Sequence, residues 1–202
     1  MKIKTKWVLI AGVVVLLAAA GVIAMVLNNS TGKKETDSKN VSISNAGSII
    51  DKQVYQVPDP EKPGCFKEMV TERPIDMTYE VHFTWSESTT NELLESYANS
   101  LRTVENGTHV TGFRSALTKA IVKYIEENSL IPKAAKYTVD GNDVREALCA
   151  VVVAQHSDIL YNTQTKTSVS NTNIQYWMTS SIYNKFSAWL NANKKEAVAI
   201  CN

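Results

Sequence analysis

The stretch "DGNDVREALCAVVVAQHSDILYNTQTKTSVSNTN", Asp140–Asn173, decides the reading of this chain. Its opening, "DGNDVREAL", has the composition of a loop feeding one helical turn. It runs into "CAVVVAQ", Cys149–Gln155, a fully apolar run of the kind that forms a central strand buried on both faces. A polar loop follows, with one lysine, Lys166, set among Gln164, Thr165 and Thr167. Beyond it, Ile174, Trp177, Met178, Ile182, Phe186, Trp189 and Leu190 recur at helical spacing and predict a long amphipathic helix. A buried strand next to a long one-sided helix implies a sheet with helices packed on it, the α+β class.

The segments upstream extend the same pattern. "MTYEVHFTW", Met77–Trp85, alternates, is rich in β-branched and aromatic residues, and reads as a strand. Leu93, Leu94, Tyr97, Ala98 and Leu101 in "NELLESYANSL" give a helical period, with Ser88 or Thr89 as N-cap and Glu92 placed for a capping box. "VENGTHVTG" reads as a loop around the Asn106-Gly107 turn signal. Phe113, Ala116, Leu117, Ala120, Ile121, Tyr124 and Ile125 then form one apolar helical face, and Pro132 closes the segment.

The first 74 residues have another character. Lys2, Lys4 and Lys6 precede Trp7–Leu27, which carries no charge. As a helix that run is about 31 Å long, close to one hydrocarbon thickness. It exceeds the apolar core of roughly 7–15 residues in a cleaved signal peptide, so a single membrane anchor is expected at residues 7–27, with secretion after cleavage as the alternative. The basic flank favours an inside amino terminus and a domain outside; a cytoplasmic domain is the other orientation. Residues 28–74 are polar, with Pro58, Pro60 and Pro63 close together, and read as a flexible tether. Within it "QVYQV", Gln53–Val57, has strand character. The expected domain is 75–202.

Charge and cysteine use narrow the function. From Ile75 on there are 11 Lys plus Arg against 13 Asp plus Glu, a net of −2. A free-standing nucleic-acid binder presents a basic stripe, and this domain has no broad basic field. Cys65, Cys149 and Cys201 match neither a zinc pattern nor a disulfide framework; Cys149 reads as a small core residue and Cys65 as exposed. His82, His109 and His156 are scattered, and His82 reads as a surface or edge residue. The chain holds no phosphate-loop, dinucleotide, zinc-protease or nucleophile-elbow signature, and no catalytic or metal-ligating set is assigned. Lys166 beside Gln164 and Thr165 has the chemistry to meet a terminal phosphate, with the ammonium as point charge and the amide and hydroxyl as added donors. On spacing alone a solvated loop lysine remains the plain alternative.

Three ordered motifs add a specific resemblance. "NGTHVTGFRSALTKAIVKYI", Asn106–Ile125, resembles the Gly-Gly-Thr-His, two residues, Gly-Phe-Arg pattern of type IIA DNA topoisomerase B subunits, that is, DNA gyrase B and its topoisomerase IV counterpart. Asn106 replaces the first glycine. "DGNDVREALCAVVVA" resembles that family's Asp-Val-Arg-Glu-Gly-Leu strand entry, with Ala147 for glycine. "QTKT" resembles its Gln-Thr-Lys loop. The resemblance covers about Ile75–Asn202 and implies a transducer domain: a β-α-β sandwich whose loop lysine and glutamine reach the γ-phosphate of ATP held by another domain. By position those roles fall on Lys166 and Gln164, with Thr165 between them. Arg114, the arginine of Gly-Phe-Arg, would face the DNA cavity, with a surface ion pair as the plain alternative, and Lys119 would add to that surface.

The sequence departs from the family after the strand, where "AQHSDILYN" lacks the usual proline and phenylalanine. It contains no Asp-x-Gly-x-Gly, no glycine-rich lid and no Glu-Gly-Asp metal module. The resemblance therefore implies ATP, with Mg, only where a separate ATPase domain is present. The implied partners are DNA and topoisomerase subunits, besides the membrane through residues 7–27. The expected function is a non-catalytic relative that links ATP state to DNA-gate movement. The alternative is a membrane-anchored extracytoplasmic binding or scaffold module that kept the fold and lost the mechanism. Oligomeric state is left open.

Overall fold

A computed structural model describes residues 40–86, 89–132 and 137–201. The basic amino terminus, the expected membrane anchor and residues 28–39 of the expected tether lie outside the described residues. Among the described residues no helix is long and apolar enough to cross a membrane.

Two long strands, β1 (Val41–Pro58) and β2 (Phe66–Trp85), form an antiparallel hairpin in unbroken register from Val41↔Phe83 to Pro58↔Phe66. β3 (Leu93–Ala98) and the two-residue β4 (Leu101–Arg102) form a second hairpin. Helix α1 (Thr108–Glu127) and the single turn α2 (Gly141–Arg145) lead to β5 (Leu148–His156). Helices α3 (Thr172–Ala192) and α4 (Lys194–Cys201) close the chain. The sheet order is β1-β2-β5-β3-β4, with β5 antiparallel to β2 and parallel to β3. This is an α+β fold with a small mixed sheet, and the apolar run Leu148–His156 is its central strand, as expected.

The core lies between the sheet and the pair α1, α3. Ile75, Met77, Tyr79, Val81 and Phe83 alternate inward from β2, and Phe113, Leu117, Met178, Ile182 and Phe186 meet them from the helices. Phe83 stacks edge-on against Phe113 and Phe186 at 5.4 and 5.2 Å. Each such ring buries on the order of 150–250 Å², so this cluster supplies much of the driving force for docking the helices. The two helices come into close contact at Gly112. A Cβ there would stand 2.8 Å from the Gln175 carbonyl oxygen, and Thr179 Oγ1 donates to the Gly112 carbonyl at 3.2 Å.

Four expectations are corrected. The tether reading fails from Val41 on, because residues 41–58 and 66–74 are paired strands. Low hydrophobicity there reflects a ribbon, mostly exposed beyond Ile50, that is held by its ladder rather than by burial. "NELLESYANSL" is not a helix. It is β3, a turn and β4, with Leu94, Ser96 and Ala98 on one face. Parallel pairing with β5 overrides the helical spacing, and Asn99 and Ser100, both at positive φ, turn the chain. Thr89 Oγ1 accepts from the Asn91 N–H in a local turn instead of capping a helix. The first helix begins at Thr108, inside the segment expected as loop. Finally, Cys149 faces the open side of the sheet and is only half-buried, because it alternates out of the core. Cys65 is exposed, and His82 lies half-buried on that same open face.

Ala147, the residue standing where the resemblance has glycine, sits at φ 60°. That left-handed conformation strains a Cβ by about 1–2 kcal/mol. Ala147→Gly is expected to stabilise the fold by about 0.5–1 kcal/mol, since the relief exceeds the added chain entropy. Urea midpoints for the two proteins check it; an unchanged or lower midpoint contradicts it.

Candidate functional site

The polar loop after β5 is built from its neck outward. Buried Asn171 closes the neck: its Oδ1 accepts from the Leu160 N–H at 2.6 Å and its Nδ2 donates to the Asp158 carbonyl at 3.0 Å. Above it, Ser170 N–H donates to the Leu160 carbonyl at 2.9 Å and Asn162 N–H to the Ser168 carbonyl at 3.0 Å. At the tip, Lys166 N–H bonds to the Thr163 carbonyl at 3.1 Å, and Lys166 itself takes φ 56°. The Thr163 hydroxyl meets those of Thr165 and Thr167 at 2.9 and 3.1 Å. Gln164, Thr165 and Lys166 are all exposed, with the Lys166 Nζ 5.7 Å from the centre of the Tyr161 ring. A cation over that face is held by the ring quadrupole while its donors stay open to solvent. Burial raises the Tyr161 phenol pKa, so the ring stays neutral.

This loop is fastened to the start of α1. Glu105 N–H donates to the Thr167 carbonyl at 3.0 Å, Thr108 N–H to the Val169 carbonyl at 3.0 Å, and Val169 N–H to the Asn106 carbonyl at 3.2 Å. Thr167 Oγ1 also donates to Glu105 Oε2 at 2.9 Å. Gly107 is what permits this approach: it has φ 134°, and a Cβ would stand 2.4 Å from the Val169 nitrogen. Asn106 replaces glycine at φ 64°, where asparagine is the best-tolerated residue with a side chain. Its Oδ1 accepts from Ser96 Oγ at 3.0 Å.

Beneath the junction lies His109, fully buried. Its Nε2 faces Thr103 Oγ1 at 3.3 Å, and among the described residues its Nδ1 has no hydrogen-bond partner. Burial lowers its pKa from 6.5 to about 4. The native state therefore holds a neutral ring where the unfolded chain takes up a proton below 6.5. The native fold is expected to lose up to about 3 kcal/mol as pH falls from about 6.5 to about 4. Burial lowers the His156 pKa in the same direction. Denaturant melts at pH 7 and pH 4.5 check this, and His109→Gln should flatten much of the slope.

Arg114, one turn further along α1, is half-buried and clamped. Its Nε and Nη2 donate to the two carboxylate oxygens of Glu92 at 2.9 and 2.7 Å, and Arg145 Nε lies 3.9 Å from the same carboxylate. Lys119 is exposed on α1 beside a shallow concavity that it lines with Thr118, Val122, Lys123, Glu126 and Tyr183. The structure thus brings Gln164, Thr165 and Lys166 together at one end and places Arg114 and Lys119 along the helix that leaves it. Sequence reasoning missed Glu92, Tyr161 and Glu105. Glu92 had been assigned to a helix cap, and nothing in sequence spacing announces a bond across 22 residues.

As a fit for ATP, the exposed loop offers one ammonium, one amide and a hydroxyl. That donor set has the chemistry to meet a terminal phosphate, and among these loop residues there is no group suited to hold a base, a sugar or Mg.

An α+β domain with a donor-bearing loop locked to a Gly-Thr-His helix start is a type IIA topoisomerase B-subunit domain. Residues 28–202 match the DNA gyrase B family, and the chain belongs to it. It is 33% identical to the DNA gyrase B subunit of Chitinophaga japonensis over 129 residues, 64% of this chain and 26% of that one. With the DNA gyrase B subunit of Streptomyces coelicolor it shares 30% over 165 residues, 80% of this chain and 24% of that one. The topoisomerase IV ATP-binding domain of Francisella tularensis, solved with a small-molecule inhibitor, superposes with TM-score 0.56 and 31% identity. That match covers 62% of this chain and 34% of that one. The 43K ATPase domain of Thermus thermophilus gyrase B has the same fold, with TM-score 0.56 and 22% identity over 74% of this chain and 35% of that one. The chain spans about a quarter of the length of these two gyrase relatives.

Proposed function

We propose that this chain is a non-catalytic relative of the topoisomerase B subunit that links the ATP state of a separate ATPase domain to movement of a DNA gate. The observation that carries the reading is the fastening of the Lys166 loop to the start of α1 through Glu105, Asn106 and Thr108. A phosphate engaged by Lys166, with Gln164 and Thr165 as added donors, pulls on the same body that carries Arg114 and Lys119. Hydrolysis removes that phosphate and releases the pull. In this reading ATP with Mg is bound by the partner, and Lys166 supplies only the contact to the terminal phosphate.

The DNA role is proposed for Arg114 in a switched form. Glu92 neutralises the guanidinium at rest, and release from Glu92 exposes it. Glu92→Ala is expected to strengthen DNA binding about 5–10-fold at low salt and steepen its salt dependence; Glu92→Ala with Arg114→Ala is expected to remove the gain. Fluorescence anisotropy with a labelled duplex reads both. A Glu92→Ala protein that binds no better than wild type contradicts the DNA role.

The second reading, an extracytoplasmic binding or scaffold module, requires residues 7–27 to anchor the chain with the domain outside; the ATP-coupled reading requires the domain on the cytoplasmic side. A reporter fused to the carboxy terminus separates the two. Activity on the outer face supports the second reading and removes the ATP-coupled one.

A further inference from the structure

We propose, independently of the nucleotide and DNA reading, that Ser42 is a base-activated nucleophile, set with His82 and Glu80 on the open face of the sheet, that takes the acyl group of an activated ester and passes it to water. The two-residue strand period puts Glu80 and His82 on one face of β2, opposite the core residues Tyr79, Val81 and Phe83. The register sets Ser42 of β1 directly across from His82. Ser157 N–H donates to the Asp76 carbonyl at 3.0 Å, so even-numbered residues of β2 turn their backbone groups to β5 and odd-numbered ones to β1. Ser42 and His82 are therefore a non-hydrogen-bonded pair, the kind whose Cα atoms approach to about 4.5 Å and whose side chains meet closely. Ser42 Oγ lies 2.7 Å from His82 Nδ1, and His82 Nε2 lies 3.1 Å from Glu80 Oε1. Val151, buried on β5, stands across from His82 on its other side, and its side chain offers the ring no polar group.

These contacts fix the ring proton. A carboxylate only accepts, so Nε2 carries the hydrogen and donates to Glu80. Nδ1 keeps its lone pair, and the Ser42 hydroxyl donates to it. A hydroxyl bonded to a base that a third group orients is the arrangement that activates a nucleophile. Exposure is graded to match. Ser42 is exposed to an acyl donor, while the His82 and Glu80 side chains are only 18% and 30% exposed. Strand β1 is an outer strand, and the same parity turns the Ser42 N–H away from β2. Among the described residues no acceptor meets that N–H, which leaves it to donate to an oxyanion formed at Oγ.

One backbone donor selects the substrate. It suits a phenyl ester or thioester, whose leaving group departs readily, and not an amide. Oγ attacks the carbonyl carbon as its proton passes to Nδ1. The bond to the leaving oxygen or sulfur then breaks, and that atom takes the proton from Nδ1. Water attacks the acyl-serine and gives a proton to Nδ1, which returns it to Oγ as the acid departs. The net change is ester plus water to acid plus alcohol or thiol. Ser42 and His82 are the catalytic residues, and Glu80 is a positioning residue.

The test uses the full chain in mild detergent with a fluorophosphonate probe, which loses fluoride as its phosphorus bonds a serine oxygen. Mass spectrometry is expected to find Ser42 labelled at least about 10-fold faster than any other serine, since a positioned base is commonly worth roughly 10²–10⁴ and a single oxyanion donor leaves only part of that. His82→Gln is expected to return Ser42 to the rate of the other serines. With p-nitrophenyl acetate, Ser42→Ala is expected to remove most of the nitrophenolate release. Glu80→Gln is expected to slow labelling about 10-fold, because an amide donating to Nε2 moves the ring proton to Nδ1, against the serine. The imidazole nitrogen chemical shifts of His82 read that exchange directly. All three side chains lie outside the core, so melting midpoints should stay at the wild-type value and separate lost chemistry from lost fold. Ser42 labelled no faster than other serines, labelling indifferent to His82→Gln, or a wild-type ring carrying its proton on Nδ1 overturns the proposal.

Discussion

Gly107→Ala is expected to destabilise the domain by about 4 kcal/mol, lowering its melting temperature by roughly 10 °C. Two costs add. The residue has φ 134° and ψ −166°, a region open essentially to glycine alone, and a side chain there costs about 1–3 kcal/mol. The new Cβ also meets backbone, not a movable side chain: Val169 N, O and Cα at 2.4, 2.5 and 2.9 Å. Relief requires parting Val169 from Gly107, which breaks the bonds Thr108–Val169 and Val169–Asn106 and frees the Lys166 loop from α1. The variant should therefore lose amide protection at Thr108 and Val169 before the rest of the fold opens. Asn106→Gly, the neighbouring change toward the family pattern, is expected to cost little, because φ 64° suits both residues. A Gly107→Ala midpoint within about 1 kcal/mol of wild type would show that the junction is looser than its geometry implies.

Gly112→Val is expected to cost a further class of energy, about 3 kcal/mol, by overpacking rather than by backbone strain. Its Cβ would stand 2.8 Å from the Gln175 oxygen and 3.3 Å from the Met178 Cβ, so the branched side chain pushes α3 off α1. The same displacement breaks the Thr179–Gly112 bond and opens the Phe83, Phe113, Phe186 cluster behind it. Gly112→Ala should show a smaller loss, since one methyl group needs a shift of a few tenths of an ångström. Thermal melts followed by near-ultraviolet dichroism report both the midpoint and the loosened aromatic packing.

These two glycines mark how far sequence reading reaches. Both lie inside the motif that carried the family resemblance, and the strand and long helix after it were legible from apolar spacing alone. The spacing failed where burial is one-sided or shared. Leu93, Leu94, Tyr97 and Ala98 satisfy a helical period, but six residues beside β5 gain a ladder that a short helix cannot match. The Asn99-Ser100 pair was the missed signal: Asn99 turns the chain at φ 45° and its side chain bonds the His156 backbone at 2.9 Å twice over. The β1–β2 ribbon was hidden because its outer half is polar on a coarse count and three prolines bracket its turn. At the site, Lys166 and Gln164 were legible as a motif. Their fastening through Glu105 and Val169, and the Glu92 clamp on Arg114, depend on contacts between distant segments that composition does not encode.

Coupling between the Lys166 ammonium and a partner's nucleotide is the claim on which the proposed function stands. Affinity of the full chain for a separately produced gyrase B ATPase domain, measured with and without a non-hydrolysable ATP analogue, tests it most directly. One charge-assisted bond to phosphate is worth about 1.5–3 kcal/mol, so the analogue is expected to tighten association at least about 10-fold, and Lys166→Ala to erase that gain while leaving nucleotide-free binding unchanged. Equal affinity with and without the analogue, or a gain that survives Lys166→Ala intact, would contradict it.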